Sequence, residues 1–214
     1  MEVVVTTTPD GWAARHGQAT VGTAAALVRP DNRCFVFLRC CRAHAYRPLV
    51  QAVAQQLRRD LYTEVGEADT EVLQRLVGLG FVVNRREHVY AIATDPTVTG
   101  LTDMAVPAGF DPTTYLVAVE QATGRYAGLV RVWNRPSGPR VGLIAVGRGY
   151  RRRGLARVLL AQVFGVLQRG GRTEVVAEVD ITNMASNRLL TDLGARRTGG
   201  YIELLRPWPA ASPA

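Results

Sequence analysis

The stretch Arg151-Arg152-Arg153-Gly154-Leu155-Ala156 lies between an apolar run, residues 141–146, and an amphipathic run, residues 157–164. This pattern predicts a strand, a basic turn and the start of a helix. The first N–H groups of a helix have no intrahelical acceptor, and the helix dipole adds partial positive charge beside them. The turn is therefore suited to receive a phosphate. Read alone, it is equally consistent with an ordinary strand-to-helix connection with surface arginines.

A second block lies further along the chain and changes this balance. Residues 174–180 form a valine-rich, strand-like run, which leads through Asn183 into a short helical pattern ending at Leu193-Gly194-Ala195. The two blocks together resemble the GNAT N-acetyltransferase superfamily. The first fits the family's acyl-CoA signature: Arg or Gln, two residues, Gly, one residue, then Gly or Ala. The second fits the family's strand, Asn and short helix, and the resemblance covers roughly residues 115–205.

The resemblance implies an α/β (α+β) fold, with a mixed, mostly antiparallel sheet flanked by helices. It also implies that acetyl-CoA binds as a co-substrate, with its pyrophosphate on the turn and its pantetheine along the preceding strand. An N–H near Val146 would polarise the thioester carbonyl. Asn183 would cap the last helix or contact pantetheine, and both roles stay open. The acyl-CoA residues implied in this way are Ile144, Ala145, Val146, Arg151, Arg152, Arg153, Gly154, Leu155, Ala156 and Asn183.

Composition excludes several other classes of protein. With 47% hydrophobic residues among 214, the chain has ample material for a core. No apolar run is long enough for a membrane span, and residues 1–6 do not resemble a secretion signal, so we expect a cytoplasmic protein. Three cysteines without metal-type spacing predict reduced, buried thiols and no metal.

The charge of +8 raises the question of nucleic acid binding. All 26 basic residues are arginine, and outside residues 148–157 they are scattered along the chain. A CoA phosphate site would account for that cluster. Nucleic acid is therefore disfavoured as a partner, and the expected partner is a small-molecule amine or a peptide amine. Oligomeric state is left open, with a homodimer as one option.

The chain also shows an internal repeat. One constant offset superimposes Gly80 on Gly194, Glu64 on Glu178 and Asp69 on Asn183. We therefore expect two pseudo-repeated halves. The sequence suggests a degenerate GNAT-like half at 1–95, a linker at 96–114, a GNAT acyl-CoA-binding domain at 115–206 and a flexible tail at 207–214. Only residues 101–114 precede the first predicted strand of the second domain, so we expect it to lack the family's opening helices, which by the resemblance would form part of the acceptor site.

The first half should bind no acyl-CoA. Its corresponding helix entry, residues 42–48, contains no glycine, and without glycine a pyrophosphate cannot approach the backbone closely.

Acetyl transfer to an amine needs a base, because an alkylammonium has a pKa of about 10.4. Glu178 is the candidate, since it matches the base glutamate of the ribosomal-protein alanine acetyltransferase branch. It is equally consistent with a solvent-facing carboxylate on a strand. Where the family often has a tyrosine acid, this chain has Leu190, with Ser186 and Tyr201 as weak substitutes.

These observations favour an acyl-CoA-dependent N-acetyltransferase. The alternative, favoured by Leu190 and the missing opening helices, is a catalytically silent pseudo-acetyltransferase that binds acyl-CoA or a partner. The identity of the acceptor and the acyl chain length are not encoded in any residue pattern that we recognise.

Overall fold

The computed structural model describes residues 3–94, 115–135 and 137–209. They form a mixed, mostly antiparallel β-structure flanked by four helices, which confirms the predicted fold class. None of the helices in these ranges is both long and apolar enough to cross a bilayer. The elements are β1 (Val3–Thr8), β2 (Gly11–His16), β3 (Ala19–Val28), β4 (Cys34–Cys40), α1 (Tyr46–Leu57), β5 (Leu61–Gly66), α2 (Thr70–Val77), β6 (Val82–Ala93), β7 (Tyr115–Val119), β8 (Tyr126–Arg135), β9 (Gly138–Val146), α3 (Leu155–Arg169), β10 (Glu174–Asp180), α4 (Met184–Asp192) and β11 (Arg196–Arg206).

The chain divides into two compact units. Unit 1 comprises Met1–Arg86 and Gly200–Ala214, and unit 2 comprises Glu87–Gly199. The chain thus passes from unit 1 to unit 2 within β6 and returns within β11. Unit 1 therefore includes most of β11 from the second half of the sequence, and unit 2 includes the end of β6 from the first half. The predicted linker at 96–114 lies wholly outside the described residues, as does most of the predicted tail. The domain limits read from the sequence stay a prediction.

Unit 1 has the strand order β1-β2-β3-β4-β5-β11. β4 and β5 are parallel, whereas β1–β2, β2–β3, β3–β4 and β5–β11 are antiparallel, and α1 packs against β1, β2 and β3. The core is built from the apolar faces of these strands and both helices, since burial of apolar side chains is the main stabilising contribution. Its fully buried members include Leu49, Val53, Leu61, Leu76, Phe81 and Leu204.

Unit 2 has the strand order β6-β10-β9-β8-β7. β10 runs antiparallel to β6 and parallel to β9, and α3 packs against β7, β8 and β9. Both α3 and α4 contribute side chains to the core on this one face of the sheet. The core includes Ile92, Val130, Val132, Val163, Phe164, Val175 and Leu190.

The repeat expected from the sequence is visible in the order of the elements. From β2 in the first half and from β7 in the second, the chain runs through two antiparallel strands into a further strand, a helix, a strand, a helix and a final strand, and β1 is an additional strand of the first half. In unit 1 the loop after α2 places Gly80 at φ 90°, and in unit 2 the loop after α4 places Gly194 at φ 77°. Glycine adopts this left-handed conformation without strain, so the shared Leu-Gly step ends both helices in the same way.

The cysteines are all free, but only Cys34 is buried. Cys40 is partly buried, and burial raises its pKa to about 11, so this thiol is protonated at neutral pH. Cys41 is exposed. The expectation of buried thiols is therefore wrong for Cys41, because β4 ends at Cys40 and the chain leaves the sheet there.

The arrangement of unit 2 predicts how a truncated chain would behave. A fragment of residues 101–214 lacks β6, whose residues Glu87–Ala93 pair with the whole of β10. It also lacks the buried side chains of Tyr90 and Ile92, each of which costs about 2–5 kcal/mol when removed from a core. We expect no cooperative thermal transition in this fragment, measured by circular dichroism.

The control is a fragment of residues 87–214, which retains that part of β6. It should show a clearer transition than the shorter fragment. A cooperative transition of equal sharpness in both would contradict the assignment of β6 to the core of unit 2.

Candidate acyl-donor site

The candidate site of unit 2 begins where β9 and β10 separate. The two strands pair only through Arg140 with Val176 and Val141 with Ala177. Beyond Val141, β9 pairs only with β8 on its other side, so the β10-facing edge of residues 142–146 carries no strand partner among the described residues. An unpaired strand edge presents backbone N–H and C=O groups to a ligand that can act as an added strand.

A β-bulge contributes to this separation. β8 pairs Arg131 with Leu143 but Val132 with Val141, so Gly142 is an extra residue on β9. A bulge bends its strand and increases the local twist. A Cβ at Gly142 would lie 2.7 Å from the Trp133 ring, so only glycine lets the indole lie against the backbone here.

The gap opens into a cavity of about 920 Å³ in unit 2. It is bounded by the end of β9, the following turn, the first turn of α3 and one face of α4. Nine of the ten residues predicted to contact acyl-CoA line it, while Arg153 does not. The nine are Ile144, Ala145, Val146, Arg151, Arg152, Gly154, Leu155, Ala156 and Asn183.

The turn before α3 has the geometry of an anion site. Gly154 is the N-cap of α3 at φ 81°, and a Cβ built there would meet nothing within 4 Å. Arg152 also adopts a left-handed conformation, at φ 63°. The guanidinium Nε of Arg151 donates to the carbonyl of Val146 at 3.1 Å, which ties the turn to the end of β9. The first turn of α3, whose N–H groups have no intrahelical acceptor, therefore borders the cavity.

The charge of the cavity is positive. Arg151, Arg152, Arg157 and Arg188 line it together with a single carboxylate, Asp192. That carboxylate lies 4.0 Å from the Arg157 guanidinium and 3.8 Å from that of Arg188. Four cations against one anion suit a ligand that carries several phosphates.

Asn183 caps α4, since its side-chain oxygen accepts a hydrogen bond from the N–H of Ser186 at 3.1 Å. It also lines the cavity, so the cap and a ligand contact are compatible. Of the two weak substitutes for the missing tyrosine acid, Ser186 lines the cavity, whereas Tyr201 belongs to unit 1. Leu190 is 3% exposed and packs in the core.

Glu178 does not line this cavity. Its neighbour Ala177 is buried among the core residues of unit 2, so by strand alternation Glu178 faces the other side of the sheet. Its carboxylate is bonded to Arg140 and lies 3.9 Å from the Arg135 guanidinium. Glu178 therefore adjoins the separation of β9 and β10, with one oxygen hydrogen-bonded to Arg140 and the other near the Arg135 guanidinium but beyond hydrogen-bond distance.

Unit 1 has a smaller counterpart of the cavity. Its volume is about 220 Å³, and its lining includes Tyr46, the first residue of α1. Tyr46 is 9% exposed and packs into the core. A tyrosine thus stands at the helix start in unit 1, where unit 2 has Gly154 and Leu155.

Sequence reasoning missed Tyr150, which also lines the cavity. Its hydroxyl donates to the Glu120 carboxylate at 2.9 Å, and Glu120 also accepts from Thr123. The Thr123 bond, followed by the Tyr150 bond, lowers the pKa of Glu120, and the Glu120 bond raises the pKa of Tyr150. Tyr150 thus links the turn before α3 to the end of β7. The strand-end position of Glu120 was visible in the sequence, but its partner was not.

Sequence reasoning also missed the cavity-facing side of α4. Its contributors there are Ala185, Ser186, Arg188, Leu189 and Asp192. Their helical spacing was the available signal, but it does not say which partner a helix face meets. Within the described residues, no group of three or more His, Cys, Asp or Glu side chains could hold a metal ion.

A sequence model described as "Acetyltransferase (GNAT) family" matches residues 88–195. No curated protein matches the chain. Among solved structures, a GCN5-related N-acetyltransferase from Sphaerobacter thermophilus superimposes with a TM-score of 0.70 at 20% identity, covering 99% of this chain and 82% of that one.

Two further structures share the fold. A tandem GNAT protein from the clavulanic acid biosynthesis pathway superimposes with a TM-score of 0.70 at 18% identity, over 94% of this chain and 83% of that one. A GCN5-related N-acetyltransferase from Kribbella flavida gives 0.65 at 14% identity, over 89% and 88%. At these identities the likeness shows the fold alone.

The Tyr150–Glu120 bond can be tested directly. Tyr150→Phe removes the donor, so the pKa of Glu120 should rise toward its ordinary value, measured by carboxyl NMR during a pH titration. Because the Glu120 pKa is depressed in the folded state, the bond contributes at neutral pH and is lost only as the pH falls through that depressed value. Amide exchange across residues 147–154 should accelerate in the variant.

Thr123→Val is the matched control, since it removes the other donor to Glu120 without touching the turn. It should raise the Glu120 pKa and leave amide exchange at residues 147–154 unchanged. Equal exchange in all three proteins would show that Tyr150 does not hold the turn.

Proposed function

The chain belongs to the GNAT acetyltransferase family, and on this premise we propose that it is an acyl-CoA-dependent N-acyltransferase. It moves an acetyl group from acetyl-CoA to the amine of a small molecule or a peptide N-terminus. The family and the fold support acyl transfer in general. The observation that supports the specific proposal is the positive cavity that opens beside the unpaired edge of β9.

Three groups of residues would bind three different parts of the acetyl-CoA donor. The N–H groups at the start of α3 receive the pyrophosphate, and Arg151 and Arg152 add positive charge. The edge of residues 144–146 exchanges backbone hydrogen bonds with the two pantetheine amides, as an added strand would. The N–H of Val146 polarises the thioester carbonyl and stabilises negative charge on its oxygen during attack.

The transfer requires a neutral amine. Glu178, or a water molecule that it holds, accepts one proton from the ammonium group. The amine nitrogen then bonds to the acyl carbon, the C–S bond breaks, and its electron pair leaves on the CoA sulfur. The second proton of the attacking nitrogen neutralises that thiolate. The buried Leu190 supplies no proton, so the thiolate departs without a tyrosine acid.

A second candidate is a catalytically silent module that binds acyl-CoA or a partner. The observation that favours it is the pairing of Glu178 with Arg140 and Arg135, because a base must free one oxygen to accept a proton. Release of CoA thiol in the presence of a panel of amines separates the two candidates.

We predict one acyl-CoA per chain, bound by unit 2. Calorimetric titration with acetyl-CoA should give a stoichiometry near one, because unit 1 has the smaller cavity with Tyr46 in its lining. Gly154→Glu should abolish binding, since its carboxylate would enter the cavity and repel the diphosphate. The residue would also be strained at φ 81°.

Gly171→Glu is the matched control, because Gly171 has φ 77° and equally open surroundings but does not line the cavity. It should bind acetyl-CoA with unchanged affinity. A stoichiometry near two, or full affinity in Gly154→Glu, would exclude the proposed donor site.

We also predict that Glu178→Gln lowers turnover by roughly 10²–10⁴-fold while acetyl-CoA affinity stays nearly constant. Steady-state thiol release and calorimetry measure the two quantities. Glu174→Gln, an exposed carboxylate earlier on the same face of β10, serves as the control and should keep full turnover. Full turnover in Glu178→Gln would make this glutamate a structural partner of Arg140.

A further inference from the structure

The sheet of unit 2 carries an aromatic and basic cluster on the face opposite α3. Val132 and Val141 point into the core, so their neighbours Trp133 and Arg140 point to the other face. The guanidinium carbons of three arginines surround the Trp133 ring. Their distances to its centroid are 5.5 Å for Arg131, 5.4 Å for Arg135 and 5.1 Å for Arg140.

The cluster has more positive charge than its carboxylate balances. Glu178 pairs with Arg140 and approaches Arg135, while Arg131 is exposed and has no ion pair within the described part of the chain. The Nε atom of Arg140 is buried and has no hydrogen-bond acceptor among those residues. A buried donor without an acceptor is unfavourable, so the cluster is suited to gain an anionic ligand.

Unit 1 has a comparable cluster of arginines beside an aromatic ring, in which carboxylates pair with the arginines. Its Arg29 lies 3.4 Å from the centroid of the Phe35 ring and 3.2 Å from the Glu64 carboxylate. Arg33 pairs with Asp31 at 2.8 Å and with the buried Glu203 at 2.9 Å. Both of these arginines of unit 1 thus have carboxylate partners. Packing of arginines on this kind of sheet face therefore does not require excess cations such as those around Trp133.

The position of the cluster connects it with the transfer reaction. Trp133 is paired with Arg140, one of the two residues of β9 that pair with β10. Arg131 is paired with Leu143, on the part of β9 that has left β10. The cluster therefore lies on the sheet face beside the unpaired edge to which the acyl donor is assigned, next to Glu178.

We propose that the acceptor is an amine that also carries a carboxylate, and that Arg131, Arg135 and Arg140 bind this carboxylate over Trp133. This inference rests on the proposed function. A guanidinium presents parallel N–H donors that match the two oxygens of a carboxylate, and the indole face favours the bound cations. The ammonium of the acceptor then lies toward Glu178. Arg131 selects the substrate because it is the arginine of the cluster without an ion pair in the described structure.

The first experiment compares ω-amino acids of increasing chain length with alkylamines and ω-amino amides of the same lengths. We expect kcat/KM for the best amino acid to exceed that of its amide by roughly tenfold to a hundredfold, the range of a charge-assisted hydrogen bond. Arg131→Gln should remove this preference, and Arg131→Lys should restore part of it because the point charge remains. Arg169→Gln, in the last turn of α3, is the matched control and should keep the preference.

A second measurement is independent of turnover. Calorimetric titration of the CoA-bound protein with the same ω-amino acid should show binding that Arg131→Gln weakens by a similar factor.

The outcomes separate this inference from the proposed function. Transfer to amines with no preference for a carboxylate would leave the transferase in place and overturn the inference. No transfer, but Arg131-dependent binding of the amino acid, would exclude the transferase and retain the site. Equal binding by wild type and Arg131→Gln would overturn the inference.

Discussion

The structure of unit 2 depends on where the pairing between β9 and β10 stops. Two residue pairs hold the strands together, and the extra residue Gly142 then bends β9 away. Each buried backbone group needs a partner, so strands normally stay paired along their length. Here the edge of β9 beyond Val141 has no strand partner among the described residues, and α3 and α4 bound the cavity beside it. The cavity, its glycine turn and the cluster around Trp133 are all arranged about this one separation.

In the proposed reaction, the donor and the acceptor would bind on opposite faces of the sheet of unit 2. On the face covered by α3 and α4, the cavity collects arginines beside the N-terminus of a helix, which suits a phosphorylated donor. On the other face, the sheet presents Glu178 among arginines and a tryptophan. Donor and acceptor would approach the separation from opposite sides. The thioester carbon would then meet the amine in the gap between the strands.

Comparison of the two units shows how little the fold by itself specifies a function. Both repeat the same order of elements, and both have a strand pair that ends after two residues, β4 with β5 and β9 with β10. In unit 1 the corresponding helix starts at Tyr46, whose side chain packs into the core, and the arginines Arg29 and Arg33 have carboxylate partners. In unit 2 the helix starts after Gly154, and the cations exceed the anions. The difference lies in these side chains and in the backbone at the helix start, where Gly154 is left-handed at φ 81° and its counterpart Ala45 is right-handed at φ -78°.

The sequence by itself determined the local features of the site. These features are the left-handed glycine at φ 81° before α3, the basic turn between β9 and that glycine, and the asparagine cap of α4. Each depends on neighbouring residues, whose chemistry acts over one helical turn. For that reason nine of the ten predicted acyl-CoA residues meet in one cavity. The tertiary structure decided the rest. It decided how β6 and β11 are divided between the two units. It also decided which distant residues are in contact, as in the bond from Tyr150 to Glu120 and the pairing of Glu178 with Arg140. Strand order and register bring these partners together, and a single sequence does not encode them in any local pattern.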